Sequence, residues 1–225
     1  MKHQYFGDII DLFKFDLLES LRKDLLLGGI TYVVMLTEND QRNDGNRRNY
    51  DKAIAGKENL ELLTFVKNYQ DVKDRNVTEI NKYFATKGIL FSCLNEEFKH
   101  KERKKYFSEI SKSDLNNQLI FFDPDNGLEI MKSNHKHIKF EELRKCYDEI
   151  DDKSIISVIQ FKSREKWEET TLPNKLRKFK DYDFVTCIYG PAIAFFIIAK
   201  TEKRLGDIQD SLKKYVIKYP SLKTI

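Results

Sequence analysis

Asp123, Asp125 and Asn126 stand together in Asp123-Pro124-Asp125-Asn126-Gly127, directly after the apolar run Leu119, Ile120, Phe121 and Phe122. Carboxylates two positions apart in a turn converge on one point. There they can move a proton, or give a hard cation such as magnesium two oxygen ligands while water and a phosphate complete its shell. Asx-type turns use the same residue types. Such a turn needs only one or two of them, so the full set reads as a site. Lys162 and Arg164, after the apolar run SIISVIQF, have the charge to hold a phosphate or offset a leaving oxygen. A third polar cluster, Asn39, Asp40, Arg42 and Asp44, lies in TENDQRNDGNRRNY, after ITYVVML. Its acids suit a ribose and its arginine suits a phosphate or carboxylate.

The elements that must carry these groups are legible from apolar spacing. Ile9, Leu12, Phe13, Leu17, Leu18, Leu21 and Leu25 recur at helical intervals, and Gly28-Gly29 is expected to end that helix. Ile30 to Leu36, Ile89 to Leu94, Leu119 to Phe122, Ser154 to Phe161, Phe184 to Tyr189 and Ala192 to Lys200 read as buried strands. Asp51 to Ala85, Asn95 to Ile110, Phe140 to Glu149, Thr171 to Lys180 and Lys203 to Tyr215 are predicted helices. Gly190-Pro191 turns the last two strands into a hairpin. The expected fold is α/β and doubly wound, a mostly parallel sheet with a C-terminal antiparallel hairpin, in one domain spanning residues 1–225. Ligands of such sheets bind outside the carboxyl ends of the strands, where all three polar clusters fall.

Composition narrows the classes. Forty Lys and Arg stand against 36 Asp and Glu, a net charge of +4 that neither demands nor excludes a nucleic-acid partner. No apolar run approaches the roughly 20 residues of a membrane span, and the first residues lack an apolar signal core. A cytoplasmic protein without a membrane partner is expected. Cys93, Cys146 and Cys187 have no CxxC spacing, and Cys93 and Cys187, within apolar runs, read as inert core residues. Lys99, Lys101, Arg103, Lys104 and Lys105 crowd one helical stretch, read first as a solvated face and second as a phosphate-tracking one. His135 and His137 are expected at the surface, and Trp167 either stacks a base or covers a sheet edge.

The order of elements, with a late strand pair in an otherwise parallel sheet, resembles the class I S-adenosylmethionine-dependent methyltransferases. Within them it resembles the adenine methyltransferases of large-subunit ribosomal RNA. Their N-terminal GN-x-x-D-x-x-KH segment is matched by Gly7, Asp11 and Lys14, with Asp8 and Phe15 replacing Asn and His. Asp123-Pro124 matches the start of their D-P-P-Y motif, and IYGPAIAFFIIA resembles their late hairpin. The resemblance implies S-adenosylmethionine as cofactor, a nucleic acid or nucleotide as partner, and cofactor binding by Gly7, Asp11, Lys14, Asn39, Asp40, Arg42 and Asp44. It also implies that Asp123, with Asp125, Asn126 and Lys162 near it, faces the target base. Two departures are visible: a single glycine, Gly45, stands far beyond the first strand, and Asp125 and Asn126 replace the second Pro and the Tyr. An alternative is a metal-dependent nuclease or phosphodiesterase using Asp123 and Asp125, with Glu129 or Asp40 as a further ligand. Gln160-Phe161-Lys162 resembles the Q-x-K element of restriction-type nucleases. A catalytically inactive binding protein on the same fold is the third reading.

Overall fold

The computed structural model describes residues 1–41, 47–71, 73, 75–162 and 165–225. In chain order the regular elements are α1 (Ile9–Asp24), β1 (Gly29–Val33), α2 (Leu60–Lys67), α3 (Ile80–Thr86), β2 (Leu90–Leu94), α4 (Arg103–Ser108), β3 (Gln118–Phe122), β4 (Gly127–Leu128), β5 (His137–Ile138), α5 (Phe140–Glu149), β6 (Ile155–Phe161), α6 (Leu172–Lys178), β7 (Phe184–Tyr189), β8 (Ile193–Ala199), α7 (Glu202–Lys218) and β9 (Lys223–Thr224). Seven strands form one sheet in the order β2-β1-β3-β6-β8-β7-β9. The first four are mutually parallel, and β8, β7 and β9 each run antiparallel to the strand before them in that order. The sheet is therefore mixed, with its parallel half carrying the predicted site.

Both faces of the central sheet are covered, which is why its inner strands β1, β3, β6 and β8 are predominantly apolar. Along β3, Leu119 and Phe121 pack with α1, α3 and α7, while Ile120 and Phe122 pack with α5 and α6. The hairpin is not simply an edge. Its returning strand β8 enters between β6 and β7, so IAFFIIA is buried throughout, and β7 and β9 lie outside it. Trp167 is buried, and its ring N–H donates to Gly190 O at 2.9 Å, so it secures the hairpin turn and does not offer a face to a base. Cys146 and Cys187 are buried and Cys93 is half-buried. Among the described residues no helix is long and apolar enough to cross a membrane.

Several helix boundaries differ from the expectation, each for a local reason. The segment from Asp51 to Ala85 breaks into α2, capped by the Asn59 side chain on Leu62 N, and α3, preceded by a 3-10 turn that Asn76 caps. Asn95 to Ile110 is helical only at its end. Glu97 forms a parallel bridge with Leu36, and Phe98 N donates to Leu36 O, which keeps residues 95–98 extended beside β1. The first helix ends at Asp24, and Leu26 takes the left-handed turn at φ 54° where Gly28 was expected to. α7 is longer than predicted because Thr201 caps it and its apolar stripe, Ile208, Leu212 and Tyr215, continues against α1.

The turn after β3 is built to be rigid. Gly127 has φ 91°, a conformation side chains rarely adopt, and a Cβ there would lie 2.7–2.9 Å from the Gln160 carboxamide. That carboxamide accepts from Leu128 N at 2.9 Å and donates to Phe161 O at 2.7 Å. Gln160 is thus committed to holding the turn, which removes it from the nuclease-like Q-x-K role. On the far side Lys175 donates to Leu128 O at 3.1 Å and to Glu129 O at 2.7 Å. Gly127→Ala is expected to combine backbone strain with a clash against a buried amide. It should lower the unfolding free energy in urea by about 1–3 kcal/mol, and a loss under about 0.5 kcal/mol would show that the turn tolerates a side chain.

Candidate functional site

The N-terminus of α1 is shaped by two residues. Asp8 caps the helix, accepting from Ile10 N at 2.8 Å and Asp11 N at 2.9 Å. Gly7, at φ 81°, turns the chain so that its own N–H donates to Asp11 Oδ2 at 2.9 Å. The Gly7 carbonyl is held by Arg48 at 3.1 Å and the Tyr50 hydroxyl at 2.6 Å. With the helix end fixed, Lys14 lies one turn beyond Asp11, on the same face.

Lys14 then reaches across the core. Its ammonium is 2.6 Å from Asp11 Oδ1 and 2.7 Å from Asp123 Oδ2, and all three side chains are 1–2% exposed. Tyr32, from the middle of β1, donates its hydroxyl to the same Asp123 Oδ2 at 2.5 Å. Burial alone would lower the Lys14 pKa, but the carboxylates of Asp11 and Asp123 reverse this and hold it above its ordinary value. Burial and the nearby Asp123 push the Tyr32 phenol well above its ordinary range, so it remains a donor. Both donors take Oδ2. Among the described residues nothing donates to Asp123 Oδ1.

Asp123 lines a cavity of about 290 Å³ at the carboxyl ends of β3 and β6. Of the residues singled out from sequence, Asp11, Lys14, Asp40, Asp123, Asp125, Asn126 and Lys162 all line it. Gly7 acts one step back, through Asp11. Asn39 lies in the adjoining hollow, its side chain accepting from Gln4 N at 3.2 Å. Arg42, Asp44 and Arg164 lie outside the described residues. Asp125 sits 3.5 Å from the Lys136 ammonium. Lys162 and Arg47 also reach this cavity, and neither side chain has an ion pair or hydrogen bond among the described residues.

The sequence reading missed Tyr32, Asp8, Arg47, Lys136 and Phe161. Tyr32 carried a signal, the one phenol in the apolar run of β1, whereas Lys136 and Arg47 are ordinary loop cations until the chain is folded. His137 is buried in β5 with Nδ1 3.1 Å from Asn134 Oδ1, contrary to the surface position expected for it.

Magnesium does not fit these carboxylates. Ammonium groups already stand at hydrogen-bond distance from Asp123 and within 4 Å of Asp125. Among the described residues no group of three His, Cys, Asp or Glu side chains could hold a metal ion. Nor do the described residues after β1 form the glycine cradle of a methyl-donor site. Residues 34–41 contain no glycine, and several of their N–H groups are already used: Val34 N on Leu94 O, Met35 N on the Tyr106 hydroxyl, Thr37 N on Met1 O and Asp40 N on Gln4 Oε1. The Asp40 carboxylate itself accepts from Lys2 at 2.9 Å. S-adenosylmethionine held in the manner of that family is not matched by these residues. No protein-family model matches the chain, and no curated relative matches it.

Two outcomes follow from the charges. Lys14→Met leaves two buried carboxylates without their cation and is expected to cost about 3–5 kcal/mol of unfolding free energy; the loss should shrink in an Asp11→Asn background, and equal losses in both would show that Asp11 and Lys14 do not act as a pair. The second concerns Asp8, whose carboxyl burial and the adjacent Asp11 push up to about 8 from 3.8. A raised carboxyl pKa favours the folded state most below the ordinary value, and that contribution is lost as pH climbs through about 8. Asp8→Asn keeps the helix cap and is expected to flatten the fall in stability between about pH 5 and about pH 9, measured by urea unfolding.

Proposed function

We propose that this chain is an enzyme on a methyltransferase-like architecture that acts on the exocyclic amino group of a nucleobase, in a nucleic acid or a nucleotide. The observation that carries this reading is the asymmetry of Asp123: Oδ2 is fixed by Lys14 and Tyr32, while Oδ1 has no donor among the described residues and belongs to a side chain lining the cavity. A carboxylate paired with a buried ammonium and locked in one rotamer is a directed acceptor. An amino group bonded to it is oriented, and electron density on its nitrogen rises as the N–H is drawn toward the oxygen.

Three further features support the reading. The strand order places an antiparallel strand, β8, between β6 and β7, as the late hairpin of the methyltransferase resemblance requires. The Gly7, Asp11 and Lys14 matches are joined physically to Asp123. Phe161 lines the same cavity and offers an apolar surface to a base. The chemistry assigned to these residues stops at the base, because the described residues do not fit the methyl donor as that family holds it. Metal-dependent phosphodiester cleavage is less well supported, since cations occupy the positions around Asp123 and Asp125 where a metal would stand.

Isothermal titration with adenosine, cytidine and uridine monophosphates tests the assignment. The amino-bearing nucleotides are expected to bind roughly 10- to 100-fold more tightly than uridine monophosphate, the value of a hydrogen bond to a charged acceptor. Asp123→Asn, its folding checked by thermal unfolding, should erase most of that preference. Equal affinity for all three nucleotides, or an undiminished preference in the variant, would remove Asp123 from this role.

A further inference from the structure

The cavity lined by Asp123 has two neighbouring hollows. It shares Lys2, Asp40 and Lys136 with a second hollow of about 400 Å³ at the carboxyl ends of β1 and β2. That hollow in turn shares His100 with a third, of about 930 Å³, between α4 and α5. The three hollows therefore adjoin through shared lining residues.

The third hollow is lined by six Lys or Arg and four Glu, of which Arg103 pairs with Glu142 and Lys139 with Glu141. Lys101, Lys104, Lys105 and Lys145 are left exposed, with no ion pair or side-chain hydrogen bond among the described residues. Elsewhere some surface lysines pair with acids, Lys82 with Glu79 and Lys203 with Asp207, while others such as Lys23, Lys57 and Lys214 have no ion pair among the described residues. Lys101 also stands three and four positions before Lys104 and Lys105, a spacing at which like charges repel along a helical segment. Four unpaired lysines crowded in one hollow, against two acids there without an ion pair among the described residues, Glu102 and Glu149, are complementary to a polyanion. Half-buried Phe107 adds an aromatic edge to the wall.

We infer that these adjoining hollows bind a single-stranded nucleic acid, its backbone lying between α4 and α5 and one base reaching the cavity of Asp123. A single strand is the occupant the position favours, because a base inside a duplex cannot reach into a recess at the strand ends without leaving the stack. The inference rests on the base-directed reading of Asp123 and adds that the base arrives on a strand.

Fluorescence anisotropy with a labelled single strand of about 12 nucleotides, as RNA and as DNA, tests it across a salt series. The chain is expected to bind at least one of the two. Lys101→Gln, Lys104→Gln, Lys105→Gln and Lys145→Gln together should weaken binding at least tenfold at low salt and reduce the slope of log affinity against log salt by about 3, from roughly 0.7 per phosphate contact. All four positions are exposed, so the variant is expected to fold as the parent does. An affinity and slope unchanged in the fourfold variant, or no binding of either strand at about 50 mM salt, would overturn the inference. Asp123→Asn should leave the slope as it is. If free nucleotides show no base preference while the fourfold variant loses strand binding, the groove stands and the role of Asp123 falls; a base preference with no strand binding gives the reverse.

Discussion

One buried ammonium organises this molecule. Lys14 is removed from water with two carboxylates and a phenol, and each of the charges would be costly there without the others. Because its partners come from α1, β1 and β3, their satisfaction requires the N-terminus of α1 to sit over the carboxyl ends of two central strands. The position of Gly7 and the capping of α1 by Asp8 are consequences of that requirement. Such a group adds little net stability compared with an apolar core, but it fixes one arrangement of the three elements and makes others expensive.

The same constraint explains why Asp123 is directional. The loop that carries it is supported from below by the Gln160 carboxamide, from one side by Lys175 on the carbonyls of Leu128 and Glu129, and from the other by residues 134–138. Those last residues are held by Arg103, which donates to His137 O at 2.9 Å and forms a buried pair with Glu142. With the backbone so restrained and one carboxylate oxygen saturated, the remaining oxygen has a defined position before any ligand arrives. That preorganisation separates an acceptor in a site from an Asx turn at the surface.

Charge is distributed with similar economy. Some surface lysines are balanced by acids a turn away or across a loop, and such pairs contribute little energy. Four unpaired lysines, Lys101, Lys104, Lys105 and Lys145, share one hollow between α4 and α5. A net charge of +4 over the whole chain conceals this, because an average says nothing of where the excess lies.

What the sequence determined by itself was whatever depends on near neighbours. Fully apolar runs of strand length required a sheet covered on both faces; the turn chemistry after Phe122 placed a polar loop at a strand end; Gly190-Pro191 marked the hairpin. Those signals located Asp123, Asp125 and Asn126 as candidates, and the N-terminal motif match added Lys14, with strand ends off by a residue or two where neighbouring strands set their limits. Contact between groups far apart in the chain was decided only by tertiary structure. Nothing local shows that Lys14 meets Asp123 across 109 positions, that Tyr32 points its hydroxyl at the same oxygen, or that Gln160 turns beneath Gly127 and so leaves the reactive set. The shortened helices at Asp51 to Ala85 and Asn95 to Ile110 have the same origin, because packing against β1 and capping by single asparagines outweigh helical spacing. Residue type and spacing fix what a group can do; burial and the partners that folding supplies fix whether it is free to do it.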